Sequence, residues 1–299
     1  MSAQESGADL FGPLLDRQLD RRGDDEQVRA WWADPSARLL AVDAGDRIDV
    51  EAGTGLPGGP VRGDRDPERD HLLGTVGGVP WFVRRVEQPE ELDVRRVETA
   101  PPLLEVVWAG LATLHWHEDN QRCPRCGAAT TVSGGGPARR CPACGRHTFP
   151  RTDPAIITAV LDDDDRIVLA RRGVWPPGRV SVLAGYVESG EAAEHTVVRE
   201  VAEETAVQVS ATRYLASQPW PYPRSLMLGF VSRGRGAVQV DGDELVEGAW
   251  YTRDEVRARV SAGRMVLPGP TSIARRLVDL WLDDHLPRPE SGTRLLRPR

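Results

Sequence analysis

The chain has 299 residues, 40% of them hydrophobic, and a formal net charge of −7. That length suggests about two domains with real cores, and the acidic balance argues against a general nucleic-acid binder. No apolar run approaches the roughly 18–20 residues that a membrane-spanning helix needs. All 38 basic residues are Arg, with no Lys, which reads as codon usage in a GC-rich genome rather than as function. The first ten residues, MSAQESGADL, lack a basic-then-apolar signal pattern. A soluble, cytoplasmic protein with no membrane partner is the expectation.

Residues 1–30 are polar apart from Leu10, Phe11, Leu14 and Leu15. From 37 to 118, short apolar runs (Leu39-Leu40-Ala41-Val42, Leu72-Leu73, Trp81-Phe82-Val83) alternate with Gly, Pro and Asp turns. This predicts a sheet-rich N-terminal domain over 1–118. Within it, 62–70 (RGDRDPERD) reads as a solvated loop. Leu103, Leu104, Val107, Leu111 and Leu114 predict one amphipathic helix over 101–118.

Two CxxC pairs follow, Cys123/Cys126 and Cys141/Cys144, with 14 residues between them and a Gly after each pair. Four thiolates in paired turns suit tetrahedral Zn2+, and a site closed by protein ligands is structural rather than catalytic. Two disulfides and a redox CxxC are the competing readings; a reducing compartment disfavours the first and the duplication of the pair disfavours the second. With four Cys present, His115 and His117 are not expected to ligate zinc. The ribbon is assigned to 119–150.

Beyond it, 155–161 and 166–170 read as a hairpin around the solvated turn DDDD, with further strands over 180–187, 208–217, 225–232 and 246–252 and a helix over 270–284. Residues 287–299 read as a disordered tail. No Pro or Gly interrupts Glu191 to Thr205, so a helix is predicted there. It puts Glu200, Glu203 and Glu204 on one face, with Val197, Val198, Val201 and Ala202 on other sides, able to pack inward. Composition alone makes this a solvated acidic face, although clustered carboxylates also suit hard cations. The segment Ser217-Gln218-Pro219-Trp220-Pro221-Tyr222-Pro223-Arg224-Ser225 is stiff and extended. Physically it is either a platform for a planar base or a rigid loop that packs Trp220 into the core.

The full spacing from Gly185 resembles the signature of the Nudix hydrolases. Gly185, then Glu191, then Arg199-Glu200 and Glu203-Glu204 all match, while Ala206 stands where that family usually has Gly. Ribbon, box and the SQPWPYPRS run, in this order, resemble the NADH pyrophosphatase branch, with Tyr222 in place of the usual Phe. The resemblance covers about 120–285. It implies an α/β fold, the Nudix α/β/α sandwich with a mixed sheet over 151–286. It also implies metal-dependent hydrolysis of NADH and NAD+ to NMN(H) and AMP, removal of NAD caps from RNA 5′ ends, and a homodimer. For RNA, Arg139-Arg140 could contact phosphates. It implies Mg2+ or Mn2+ held by Glu200, Glu204, Glu244 and Glu203, with Glu247 a weaker alternative to Glu244. Glu204 is then the base or water-orienting ligand, Glu203 the second candidate, and Arg199 the residue that orients a box carboxylate. Substrate contacts are expected from Gln218 through Ser225 and from Ala184, Ala274 and Phe149, which replaces a common Tyr. The competing readings are a Nudix hydrolase of another nucleoside diphosphate compound such as ADP-ribose, and a non-catalytic nucleotide sensor whose ribbon binds nucleic acid.

Overall fold

The computed structural model describes residues 15–50, 57–87, 92–93 and 101–289. Leu10, Phe11, Leu14 and the expected tail from 290 onward lie outside them. The chain divides into two compact units, one reaching Arg151 and including Pro221–Arg224, the other comprising Thr152–Trp220 and Ser225 onward. The N-terminal domain and ribbon, assigned separately from sequence, thus fall in one unit.

In the first unit, α1 (Asp25–Trp32) precedes β1 (Arg38–Val42), β2 (Arg47–Ile48), β3 (Gly59–Pro60), β4 (His71–Val76), β5 (Val79–Arg85), β6 (Leu92–Asp93) and α2 (Pro101–Asp119). The ribbon adds β7 (Thr131–Ser133), β8 (Ala138–Arg140) and β9 (His147–Thr148). The larger sheet runs β4-β5-β1-β2-β6, with β3 on β1. Val107, Leu111 and Leu114 of α2 bury against Leu40, Val42 and Val83, as the helical spacing predicts. The polar stretch before residue 30 hid α1. Its Asp24 side chain accepts from the Glu26 and Gln27 backbone amides, a local cap that satisfies otherwise orphaned donors.

The loop over 62–70 is not wholly solvated. Asp70 is fully buried because Arg84 pairs with it bidentately, and charged groups go inside when they are paired this way.

In the second unit, β10 (Asp153–Leu161), β11 (Ile167–Arg172), β12 (Leu183–Tyr186), α3 (Ala193–Thr205), β13 (Gln208–Trp220), β14 (Ser225–Arg235), β15 (Leu245–Tyr251), α4 (Arg253–Ser261) and α5 (Ile273–Leu282) follow in order. The sheet runs β13-β14-β10-β11-β15, with β12 on β10, and β10 pairs parallel with β14. Both faces of β10 are buried. Ile157, Ala159 and Leu161 join a core with Val256 of α4 and Leu277, Val278 and Trp281 of α5. Ile156 and Val160 face the core that includes Val197 and Val201 of α3. Alternate residues of a strand point to opposite faces, so the sheet lies between α3 on one side and α4 with α5 on the other. This is the α/β/α sandwich.

Three local readings need correction. Ala202, expected to pack inward, is exposed. In the DDDD turn, Asp162 is buried and its Oδ1 accepts from the Asp164 and Arg166 amides. The helix α4 was missed, although Thr252 and Glu255 form a capping box that marks its start.

Candidate active site and zinc centre

In the ribbon, the four Sγ atoms lie within 4.8 Å of one another. The Cys123–Cys144 and Cys126–Cys141 sulfurs are each 3.6 Å apart. Tetrahedral Zn–S bonds of about 2.3 Å place sulfurs roughly 3.8 Å apart, so the residues fit the metal. The two knuckles repeat one pattern. The Gly127 amide donates to the Cys123 carbonyl and Gly145 to Cys141, both at 2.9 Å, and both glycines hold positive φ. Both ring nitrogens of His117 are used by the protein. Its Nε2 donates to the Gly136 carbonyl at 2.7 Å and its Nδ1 accepts from Arg139 at 3.0 Å. Arg139, expected to be able to contact phosphates, is instead buried and also donates to Thr130. Arg140 stays exposed.

In the second unit, α3 presents its carboxylates toward β12. The Glu200 carboxylate occupies the space beside Gly185 where any Cβ would sit. Gly185 is therefore required for room, and not for a positive φ.

Arg199 is the hub of this face. Nε and Nη2 hold Glu191 bidentately at 2.9 and 2.8 Å. Nη1 reaches Glu200 at 2.8 Å and Glu203 at 3.0 Å, and Nη2 also donates to the Tyr186 carbonyl at 3.0 Å. A guanidinium has five donors, and all five are directed at protein oxygens. The Arg199 hydrogen bonds hold the Glu191 carboxyl down at about 2. Sequence reasoning placed Arg199 against a box carboxylate; the structure makes Glu191 its bidentate partner and ties Glu200 and Glu203 to the same group.

Glu204 is buried and its Oε2 has no hydrogen-bond partner. Burial first, then the charges of Glu200 and Glu244, raise its carboxyl to about 8. Burial also raises Glu200. A buried carboxylate oxygen lacking a donor, beside further carboxylates, fits a hard divalent cation.

Glu244 is brought to this cluster by a turn that Asp241 caps, accepting from the Glu244 and Leu245 amides. Sequence reasoning missed Asp241, whose signal is a turn-forming Asp four residues before the strand. Glu247 is drawn away by a 2.8 Å ion pair with Arg171. The side chains of Glu203 and Glu244 are 61% and 60% exposed, and among the described residues only the cysteines already converge on one point.

Beside Glu204 lies a cavity of about 220 Å³ lined by Ala184, Gln218, Trp220 and Ala274. Gln218 is used by the protein: Nε2 donates to the Thr271 carbonyl and Oε1 accepts from the Ile273 amide, both at 2.7 Å. It fixes the start of α5 and thereby Ala274. Ser225 is buried and pairs with the Tyr186 hydroxyl at 3.2 Å, and Pro219 is an exposed residue of β13.

The rest of the expected contact segment belongs to the first unit. There Tyr222 packs on the N-terminal core, and His115 Nδ1 lies 3.1 Å from the Pro221 carbonyl and 3.4 Å from that of Pro223. Arg224 approaches Asp119 at 3.8 Å. Of the alternatives for this run, the packed residue is thus Tyr222, while Trp220 faces the cavity. Phe149, also of the first unit, is 54% exposed. Trp175, Arg172 and Arg179 line the cavity as well; no motif marked them.

The NUDIX domain family matches residues 151–267, and the NADH pyrophosphatase zinc ribbon domain family matches 118–149. The NAD-capped RNA hydrolase NudC of Mycobacterium bovis is 40% identical over 301 residues, covering 90% of this chain and 94% of that protein. The chain belongs to the NudC group of the Nudix hydrolase family. The protein of the same name from Mycobacterium tuberculosis has the same identity and coverage, and that of Stutzerimonas stutzeri is 36% identical over 73% of this chain and 79% of its own length. A solved Nudix hydrolase from Nitrosomonas europaea is 19% identical, with a TM-score of 0.39 over 45% of this chain and 79% of that one. The run from Gly185 through Ala206, whose spacing resembles the Nudix signature, lies within the matched NUDIX region. Among the described residues no helix is long and apolar enough to cross a membrane.

Proposed function

We propose that this NudC-group protein hydrolyses the pyrophosphate bond of NADH and NAD+ to NMN(H) and AMP, and removes NAD caps from RNA 5′ ends. The observation that carries the proposal is a buried carboxylate with an unpartnered oxygen, Glu204, on the wall of a cavity that Trp220 also lines. The full-length relatives named as NAD-capped RNA hydrolases support the substrate.

Glu200, Glu203, Glu204 and Glu244 would hold Mg2+ or Mn2+. Such ions neutralise phosphate charge and lower the pKa of bound water. Glu204 takes the proton of the attacking water or orients it, and Glu203, more exposed and tied to Arg199, is the second candidate. Arg199 acts through the carboxylates it holds. Trp220 offers a ring for a base, and Ala184 and Ala274 leave room beside it. Cys123, Cys126, Cys141 and Cys144 hold zinc, which staples the ribbon. A homodimer, which rests on the family resemblance, belongs to the same proposal, as does the cytoplasmic location expected from the sequence.

The test is incubation of purified protein with NADH and Mg2+ or Mn2+, with products resolved beside a Glu204→Gln control. Metal-dependent NMNH and AMP from the wild type, with turnover at least about 100-fold lower in the variant, is expected, since single site groups of this kind are worth factors of that order. Preferred cleavage of ADP-ribose would move the assignment to that substrate, and a fully active variant would remove Glu204 from the chemistry.

A further inference from the structure

The pyrophosphate of a dinucleotide needs cationic side chains as well as metal ions, and the family box supplies only Arg199. That residue is spent, because its five donors all point at Glu191, Glu200, Glu203 and the Tyr186 carbonyl. The adjacent strand β11 ends in two arginines. Arg171 is engaged, donating to the Trp175 carbonyl at 3.0 Å and to Glu247 at 2.8 Å. Of the two arginines on the cavity wall, Arg179 lies over the Trp175 ring, 5.3 Å from its centroid. The other is Arg172.

Arg172 makes a long ion pair, 3.5 Å to Glu244 Oε2, and its side chain is 52% exposed. It lines the same cavity as Glu204. A guanidinium at that distance from an exposed carboxylate is loosely held. With Glu244 holding a divalent cation, its pair with Arg172 would be weakened by like-charge repulsion. The nearest anion left to satisfy the guanidinium is then the substrate's phosphate, which a planar fork can grip bidentately.

We propose that Arg172 is the arginine that contacts the phosphates of the bound nucleotide, and that its pair with Glu244 is the resting state of that contact. This rests on the pyrophosphatase reading for the identity of the substrate, but the phosphate contact itself does not. Because the contact forms with bound substrate and persists through the reaction, its loss weakens binding more than turnover. The backbone of Trp175 is pinned on Arg172 as well, its amide donating to the Arg172 carbonyl at 3.0 Å.

The experiment compares wild type, Arg172→Gln and Arg172→Lys in their calorimetric affinity for ADP and for adenosine with magnesium present, and in NADH kinetics. Charge-assisted hydrogen bonds are worth enough to predict a roughly tenfold loss of ADP affinity in Arg172→Gln. Adenosine binding and melting temperature should not change, KM for NADH should rise about tenfold, and kcat should stay within about threefold. Arg172→Lys should recover part of the loss, because the charge remains without the fork. Unchanged ADP affinity, or an equal loss for adenosine, overturns the proposal. If the wild type fails to cleave NADH while ADP affinity still depends on Arg172, the phosphate contact stands and the substrate assignment falls.

Discussion

The Glu200 carboxylate of α3 fills the space beside the Gly185 Cα in which any larger residue's Cβ would begin. Two positions fifteen apart in sequence are thus locked together by volume exclusion, and the carboxylate gains a fixed position on the sheet edge. Gly185→Ala must push Glu200 aside. The expected outcome is a fall in kcat of about 100-fold, since displacement of a positioned group by an ångström costs on that order. Far-ultraviolet circular dichroism should stay near wild type, because β12 is otherwise intact. Normal turnover in this variant would mean that Glu200 need not sit where the structure places it.

Arg199 supports Glu191, Glu200 and Glu203 together. A lysine cannot reproduce that fork, so Arg199→Lys should lower kcat at least tenfold. Glu191→Gln should fall in the same direction, and the double variant should lose less than the product of the single losses, as members of one network do. Strict multiplicativity in the kinetic cycle would separate the two residues.

Ala206 ends α3 in the left-handed region at φ 58°, with its amide bonded to Ala202. That conformation costs a non-glycine residue about 1–2 kcal/mol, whereas glycine adds about 0.4–1 kcal/mol of entropy to the unfolded chain. The first effect is larger, so Ala206→Gly should stabilise the protein by roughly 0.5–1 kcal/mol. For a unit of this size that raises Tm by about 1–4 °C, measurable by calorimetry. A lower Tm would show that the turn is not strained.

His71 and His117 stack face to face, with centroids 3.9 Å apart, and both are buried. Burial chiefly, with the charges of His117 and Arg139, lowers His71 from 6.5 to about 3, and burial lowers His117 to about 4. Between these values and 6.5 the unfolded chain binds protons that the folded chain refuses. Stability is therefore present above pH 6.5 and is lost as pH falls toward 4, by up to about 1.4 kcal/mol per pH unit for each histidine. The difference in urea stability between wild type and His71→Leu at pH 7.5, 6 and 5 should show about half of this slope, because the opposite contribution of the raised Glu204 carboxyl is common to both proteins. A difference that stays constant over this range would contradict the buried, neutral pair.

The sequence by itself determined the features that depend on local spacing. The paired CxxC turns announced the ribbon because each knuckle is closed by its own backbone. The uninterrupted run from Glu191 to Thr205 announced α3, since a period of 3.6 puts Glu200, Glu203 and Glu204 on one face. The long apolar strands were legible for the same reason, and the capped helices α1 and α4, polar on most sides, were not. Tertiary structure alone decided what each charged group does, because partners come from distant strands. It gave Arg199 to Glu191, drew Glu247 off to Arg171, and buried Arg139 beside His117. It also sent Tyr222 to the N-terminal core while Trp220 stayed at the cavity, and it brought Arg172 from the end of β11 to Glu244. Such pairings are set by which side chains can exclude water from one another, and that is a property of the packed sheet rather than of any segment read alone.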